Sequence, residues 1–107
     1  MTNVLFICSQ NKLRSPTAES VFCNVSGWDV RSAGLNNDAE IHVSSEDILW
    51  AEYIFVMEQA HTRKLKKKFK SILNKQHVIC LSIPDDYDYM DEELVSILKS
   101  KVPQFVS

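Results

Sequence analysis

The sequence predicts an α/β fold: a single-domain, four-stranded parallel sheet with helices on both faces. Three observations predict it. Apolar runs of strand length alternate along the chain with segments of helical periodicity, in the order β-α-β-α-β-α-β-α. The runs Val4–Ile7, Tyr53–Met57 and His77–Leu81 are near-continuous rather than alternating, the pattern of strands buried on both faces. The length of 107 residues suits one domain, residues 1–107, built around one sheet, and no repeat, linker or low-complexity segment divides it.

Each element has its own signal. Val4 to Ile7 is the first strand, with Cys8 at its end. Ser15-Pro16 then reads as a helix start, a hydroxyl N-cap followed by a proline whose missing N–H costs nothing. Ala18, Val21, Phe22 and Val25 repeat at helical spacing behind it, and Ser26-Gly27 stops the helix. Trp28 to Ala33 is the second strand, with Val30 as its clearest core residue, and Gly34 to Asp38 is a loop. Ser44-Ser45-Glu46-Asp47 caps a short helix carrying Ile48, Leu49 and Trp50. After the strand Tyr53–Met57, His61 to Leu73 forms an amphipathic helix with Leu65, Phe69, Ile72 and Leu73 on one face. Its other face carries Arg63, Lys64, Lys66, Lys67, Lys68 and Lys70, either a solvated surface or a docking patch for an acidic partner. The strand His77–Leu81 precedes an acidic loop, and Met90 to Val102 is the last helix, with acids at its start and Pro103 to end it.

Composition narrows the function. Hydrophobic residues make up 45% and charged residues 24%, as in ordinary globular domains, and the formal net charge is −2. Nucleic acid is therefore not an expected partner, and no apolar run is long enough to make a membrane one. Without a recognisable secretory leader, and with an odd count of three cysteines, a reducing cytoplasm is the expected location. Cys23 and Cys80 read as core residues. His42, His61 and His77 form no ligand-spaced set with the cysteines, so neither a metal nor a cofactor is expected.

The chemistry concentrates in Cys8-Ser9-Gln10-Asn11-Lys12-Leu13-Arg14-Ser15. Six residues must turn a buried strand into a helix, which aims backbone N–H groups and the positive helix end at one point and makes an anion site. There Cys8 is favoured as a thiolate nucleophile. Arg14 closes the loop with a planar fork suited to two phosphate oxygens, and the Ser15 hydroxyl is placed to donate to the Cys8 sulfur. Asn11 tolerates the left-handed backbone that a tight cradle requires. Hydrolysis of an aryl phosphate also needs a proton for the leaving oxygen and an activated water for the phosphocysteine; one carboxyl group can serve both in turn. The candidates lie after the fourth strand, in Ile83-Pro84-Asp85-Asp86-Tyr87-Asp88-Tyr89.

In these segments the sequence resembles the low-molecular-weight protein tyrosine phosphatases, as a short member. The resemblance rests on Cys8-x5-Arg14-Ser15-Pro16 with Ala18-Glu19 after an apolar strand, on Ser32-Ala33-Gly34, and on Asp85-Asp86-Tyr87. It implies Cys8, Arg14 and Asp85 as catalytic residues, with Ser9, Gln10, Asn11, Lys12, Leu13 and Ser15 completing the phosphate loop. It further implies that Ser32 hydrogen-bonds the Asn11 side chain in support of that loop, and that Tyr87 walls the substrate cleft. The substrate it implies is a phosphotyrosine-containing protein or a small aryl phosphate. Three positions depart from the family pattern. Gln10 replaces a usual Gly, Leu13 replaces a second Cys found in many members, and Asp86 replaces the Pro of an Asp-Pro-Tyr motif. The last leaves Asp86 as an alternative general acid. Lys12 at the loop rim favours an acidic substrate.

Three other activities fit the same scaffold. Arsenate reduction needs further cysteines to relay a disulfide outward. A phosphocysteine carrier would lack the Arg and the acid. A non-catalytic module would bind phosphotyrosine without turnover.

Overall fold

In a computed structural model, which describes residues 1–106, four parallel strands carry the chain: β1 (Thr2–Cys8), β2 (Trp28–Gly34), β3 (Tyr53–Val56) and β4 (His77–Cys80). Their spatial order is β2-β1-β3-β4. Between and after them lie α1 (Arg14–Phe22), α2 (Ser45–Trp50), α3 (Gln59–Lys68), α4 (Glu92–Lys101) and a 3-10 turn, Val102–Gln104. The chain builds outward from β1 to β2, then crosses over to β3. The strand order therefore reverses beside β1, and ligands on such sheets bind at the carboxyl ends of strands at that reversal.

The alternation of side chains across β1 and β3 makes two cores. Val4, Phe6, Cys8, Phe55 and Met57 face α1 and α4, meeting Ala18, Phe22, Leu94 and Leu98. Leu5, Ile7, Ile54 and Val56 face α2 and α3, meeting Ile48 and Leu65. Because both faces are covered, β1 must be apolar at every position from Val4 to Ile7, all of them fully buried. Phe6 stacks between Phe22 and Phe55, with ring centroids 5.7 and 5.4 Å away.

Several boundaries differ from the sequence expectation. Leu13 stands at the N-cap of α1 without a side-chain cap bond, so Ser15 lies inside the first turn and its hydroxyl is free for the site. The helix ends at Phe22, leaving Val25 partly exposed before Gly27 turns the chain at φ 86°. The Ser44 capping box forms, with the Ser44 and Asp47 side chains bonding each other's backbone N–H groups. Helix α3 stops at Lys68, and Phe69 reaches the core from its C-cap. Asp91, not Met90, caps α4 by accepting from the Glu93 N–H at 2.8 Å. Cys23 is exposed and Cys80 half-buried, contrary to the expectation that both belong to the core. Cys23 lies just past the last turn of α1, where its Sγ donates to the Ser20 carbonyl, and β4 is an edge strand with a neighbouring strand on one side only. Among the described residues no helix is long and apolar enough to cross a membrane, and no group of three or more His, Cys, Asp and Glu is poised to hold a metal.

Leu94 is wholly buried where α4 covers β1 and β3. Leu94→Ala is expected to cost about 2–5 kcal/mol, from lost transfer energy plus the cavity left behind. Urea unfolding, read by far-UV circular dichroism, measures it.

Candidate active site

The loop from Ser9 to Leu13 is shaped from outside. Three consecutive carbonyls, those of Cys8, Ser9 and Gln10, accept hydrogen bonds from the N–H groups of Leu35, Asn36 and Glu40, each at 3.0 Å. In a trans peptide the C=O and the following N–H point in opposite directions. Holding these carbonyls outward therefore turns the N–H groups of Ser9, Gln10 and Asn11 inward. The Asn11 N–H shows the result, donating to the Cys8 sulfur at 3.2 Å. Asn11 reaches this geometry at φ 55°, the left-handed region that Asn tolerates.

The sulfur sits at the base of the cup. Cys8 is 3% exposed, and the Ser15 Oγ lies 3.0 Å from its Sγ. The same hydroxyl is 2.9 Å from the Asn11 Oδ1. With one proton, the Ser15 hydroxyl can donate to the Asn11 side chain or to the Cys8 sulfur, one at a time. A cavity of about 100 Å³ opens above, lined by Cys8, Ser9, Gln10, Lys12, Leu13, Arg14 and Asp85.

Arg14 is held in place by two elements that the sequence did not connect. Its Nη1 donates to the Glu58 Oε2 at 2.7 Å and to the Ile83 carbonyl at 2.8 Å, which occupies both hydrogens of that nitrogen. The Nε and Nη2 edge is left for an oxyanion, with the Asp85 Oδ1 as an ion-pair partner 3.6 Å from Nε. Arg14 itself is 3% exposed, so the paired carboxylate compensates a charge largely removed from water. The Arg14 hydrogen bond, ahead of its charge, holds the Glu58 carboxyl below its usual range.

Glu58 and His61 were not singled out for the site, yet both belong to it. The Glu58 N–H donates to the His61 Nδ1 at 3.2 Å, so neutral His61 carries its proton on Nε2. From there it donates to the Ser9 Oγ at 2.9 Å. Ser9 thereby accepts from His61 and keeps its own proton for the cavity. The available signal was position: Glu58-x-x-His61 follows the carboxyl end of β3, just as Asp85 follows β4.

Both candidate acids are exposed, but Asp85 lines the cavity and pairs with Arg14, whereas Asp86 lines no part of it. The acidic loop is tethered to α1 at its far end. The Thr17 Oγ1 accepts from the Met90 N–H at 2.9 Å, and the Ser20 and Tyr89 hydroxyls meet at 2.9 Å. Two implied contacts do not form. The Ser32 hydroxyl bonds the Glu19 carboxylate rather than the Asn11 side chain, which is taken by Ser15. Tyr87 packs partly buried against the core on the α1 and α4 face and does not line the cavity.

No protein-family model matches the sequence, and no curated protein matches it. Solved structures do. A low-molecular-weight protein tyrosine phosphatase from Streptococcus pyogenes is 17% identical over 100% of this chain and 95% of its own, with a TM-score of 0.78. The YwlE arginine phosphatase from Geobacillus stearothermophilus is 20% identical over 92% of this chain and 89% of its own, with a TM-score of 0.72. A drosophila arginine phosphatase is 19% identical over 100% of this chain and 99% of its own, also with a TM-score of 0.72. The chain has the fold that these phosphatases share.

Two predictions test the geometry. A Cβ on Gly34 would lie 2.5 Å from the Ala39 Cβ, 2.8 Å from the Ser9 carbonyl oxygen and 3.0 Å from the Asn11 nitrogen, so the loop must shift to admit it. Gly34→Ala is expected to destabilise the chain by about 1–3 kcal/mol and to weaken oxyanion binding, read by denaturation and by protection with inorganic phosphate. Burial, then the Arg14 charge, pushes the His61 imidazole below its ordinary value of 6.5. The unfolded chain therefore binds a proton that the folded chain resists, and stability falls as pH drops below 6.5 until folded His61 also protonates. His61→Asn is expected to flatten that slope in unfolding free energy measured against pH.

Proposed function

We propose that this chain is a cysteine-dependent phosphatase of the low-molecular-weight tyrosine phosphatase type, acting on phosphotyrosine in proteins or on small aryl phosphates. The observation that carries the reading is the shared cavity: the Cys8 sulfur at its base, the turned-in N–H groups around it, and Arg14 and Asp85 on its wall. The Cys8 thiolate attacks phosphorus in line, forming the S–P bond as the bond to the phenolic oxygen breaks. Arg14, through Nε and Nη2, and the N–H groups of the loop balance charge on the equatorial oxygens. The Ser9 hydroxyl, oriented by His61, adds a neutral donor. Asp85 gives its proton to the leaving oxygen. Its carboxylate then takes a proton from water as that water attacks phosphorus, releasing phosphate and regenerating the thiolate.

Phosphoarginine is the second reading. No aromatic side chain lines the cavity among the described residues, and two of the similar structures are arginine phosphatases. Lys12 on the rim opposes it by repelling a cationic leaving group. Arsenate reduction and phosphocysteine storage draw less support: Cys23 and Cys80 do not line the cavity, and Arg14 and Asp85 do.

Turnover of an aryl phosphate is expected to vanish in Cys8→Ser and Arg14→Ala. Asp85→Asn should lower it by roughly 10²–10⁴-fold, most for poor leaving groups, while Asp86→Asn stays near wild type. Normal turnover by Cys8→Ser would remove the mechanism, and equal losses in both Asp variants would remove the assignment of the acid. Phosphoarginine hydrolysis faster than aryl phosphate hydrolysis would decide for the second reading.

A further inference from the structure

Beside the catalytic loop runs a second groove, of about 560 Å³, lined by Leu35, Asn36, Asn37, Lys64, Lys67 and Lys68. One residue joins the two. The Asn36 N–H donates to the Ser9 carbonyl at 3.0 Å, and its Oδ1 accepts from the Lys64 Nζ at 3.3 Å. Helix α3 makes the same connection from the other side. His61 bonds Ser9, and Lys64 and Lys68 follow it at helical spacings of three and seven on the same face. Seven residues of helix advance about 10 Å, the length of roughly three residues of extended peptide.

The lysines of this groove are poised rather than neutralised. Among the described residues, every ion pair joins Arg14, Arg31 or His61 to a carboxylate, and none involves Lys64, Lys67 or Lys68. Lys64 is steadied by the neutral amide of Asn36, and the Lys68 Nζ lies 2.8 Å from the His42 Nε2. Three unpaired cations thus gather on one side of a chain whose net charge is −2. Lys66 of α3 and Lys70, just past its end, instead stand beside Leu73, Asn74, Gln76 and Val78, in a groove that shares no residue with the catalytic loop.

We propose that this groove binds the acidic segment of a phosphoprotein substrate, taking Asp or Glu side chains about two to four residues from the phosphorylated one. The charge is complementary, the spacing matches an extended chain, and the Asn36 and Asn37 amides offer partners to its backbone. No aromatic side chain lines the groove, so the stacking platform used by single-stranded nucleic acids is missing. The proposal rests on the phosphatase reading for the site next door, and it commits to an acidic polypeptide whichever phosphorylated residue enters the cavity.

The test compares the wild type, the triple variant K64Q/K67Q/K68Q and the control K66Q/K70Q. Two phosphopeptides are used, identical except for Asp or Gln at the flanking positions. In wild type, kcat/KM is expected to be roughly tenfold higher for the acidic peptide, with the gap closing as salt is raised. The triple variant should lose that preference while hydrolysing p-nitrophenyl phosphate at the wild-type rate, and the control should keep it. A parallel arm measures binding of both peptides to Cys8→Ala chains with and without the triple change, which reads the groove without turnover. Absence of hydrolysis with the binding preference intact would sink the phosphatase reading alone. Equal handling of the two peptides by wild type, an unchanged preference in the triple variant, or displacement of the acidic peptide by single-stranded RNA at lower concentration than by poly-glutamate would overturn the groove assignment.

Discussion

The geometry of the site depends on three hydrogen bonds that lie outside it. Leu35, Asn36 and Glu40 hold the carbonyls of Cys8, Ser9 and Gln10 on the outer wall of the loop. Peptide planarity then leaves the intervening N–H groups no direction but inward. A loop held this way is ordered before any anion arrives, so binding one would bear little of the ordering entropy a floppy loop would impose. Gly34 belongs to the same device, because β2 must pass close enough beneath the loop for those bonds to form, and a methyl group there has no room.

Around the cup, the carboxyl ends of the sheet supply the polar groups of the candidate site in a fixed order. Strand β1 delivers Cys8, β3 delivers Glu58 and His61, and the segment after β4 delivers Ile83 and Asp85. Arg14 ties all three together, since its guanidinium contacts Glu58, Ile83 and Asp85 from the first residue of α1. A buried arginine with a single partner would be costly and mobile. One held at Nη1 by a carboxylate and a carbonyl turns its Nε and Nη2 edge toward the cavity, where the Asp85 carboxylate lies 3.6 Å from Nε. The reversal of strand order beside β1 is what allows the loops after β1, β3 and β4 to converge.

The order of elements was legible because it is written in local pattern: continuous apolar runs for strands, helical periodicity between them, and Gly or Pro at the ends. Boundaries were less so. Ser15 carries every local mark of an N-cap, but its hydroxyl is drawn to Cys8 and Asn11, and the N-cap falls two residues earlier, at Leu13. Cys23 and Cys80 look apolar in sequence, yet one lies past the end of a helix and the other on an edge strand, so neither is enclosed. Ser32 pairs with Glu19 because α1 brings that carboxylate over β2, a proximity that no spacing along the chain reveals.

What the sequence determined by itself is the architecture and the grouping of Cys8, Asn11, Arg14 and Ser15 in the first loop, since these residues lie within one strand-turn-helix unit whose geometry is local. Tertiary structure alone decided the rest. It set Asp85 rather than Asp86 on the cavity wall, left Tyr87 off that wall, brought Glu58 to Arg14 and His61 to Ser9, and laid Lys64, Lys67 and Lys68 beside the Asn36 loop. These are contacts between segments tens of residues apart, and they exist only once the crossover sets β3 and β4 on the far side of β1.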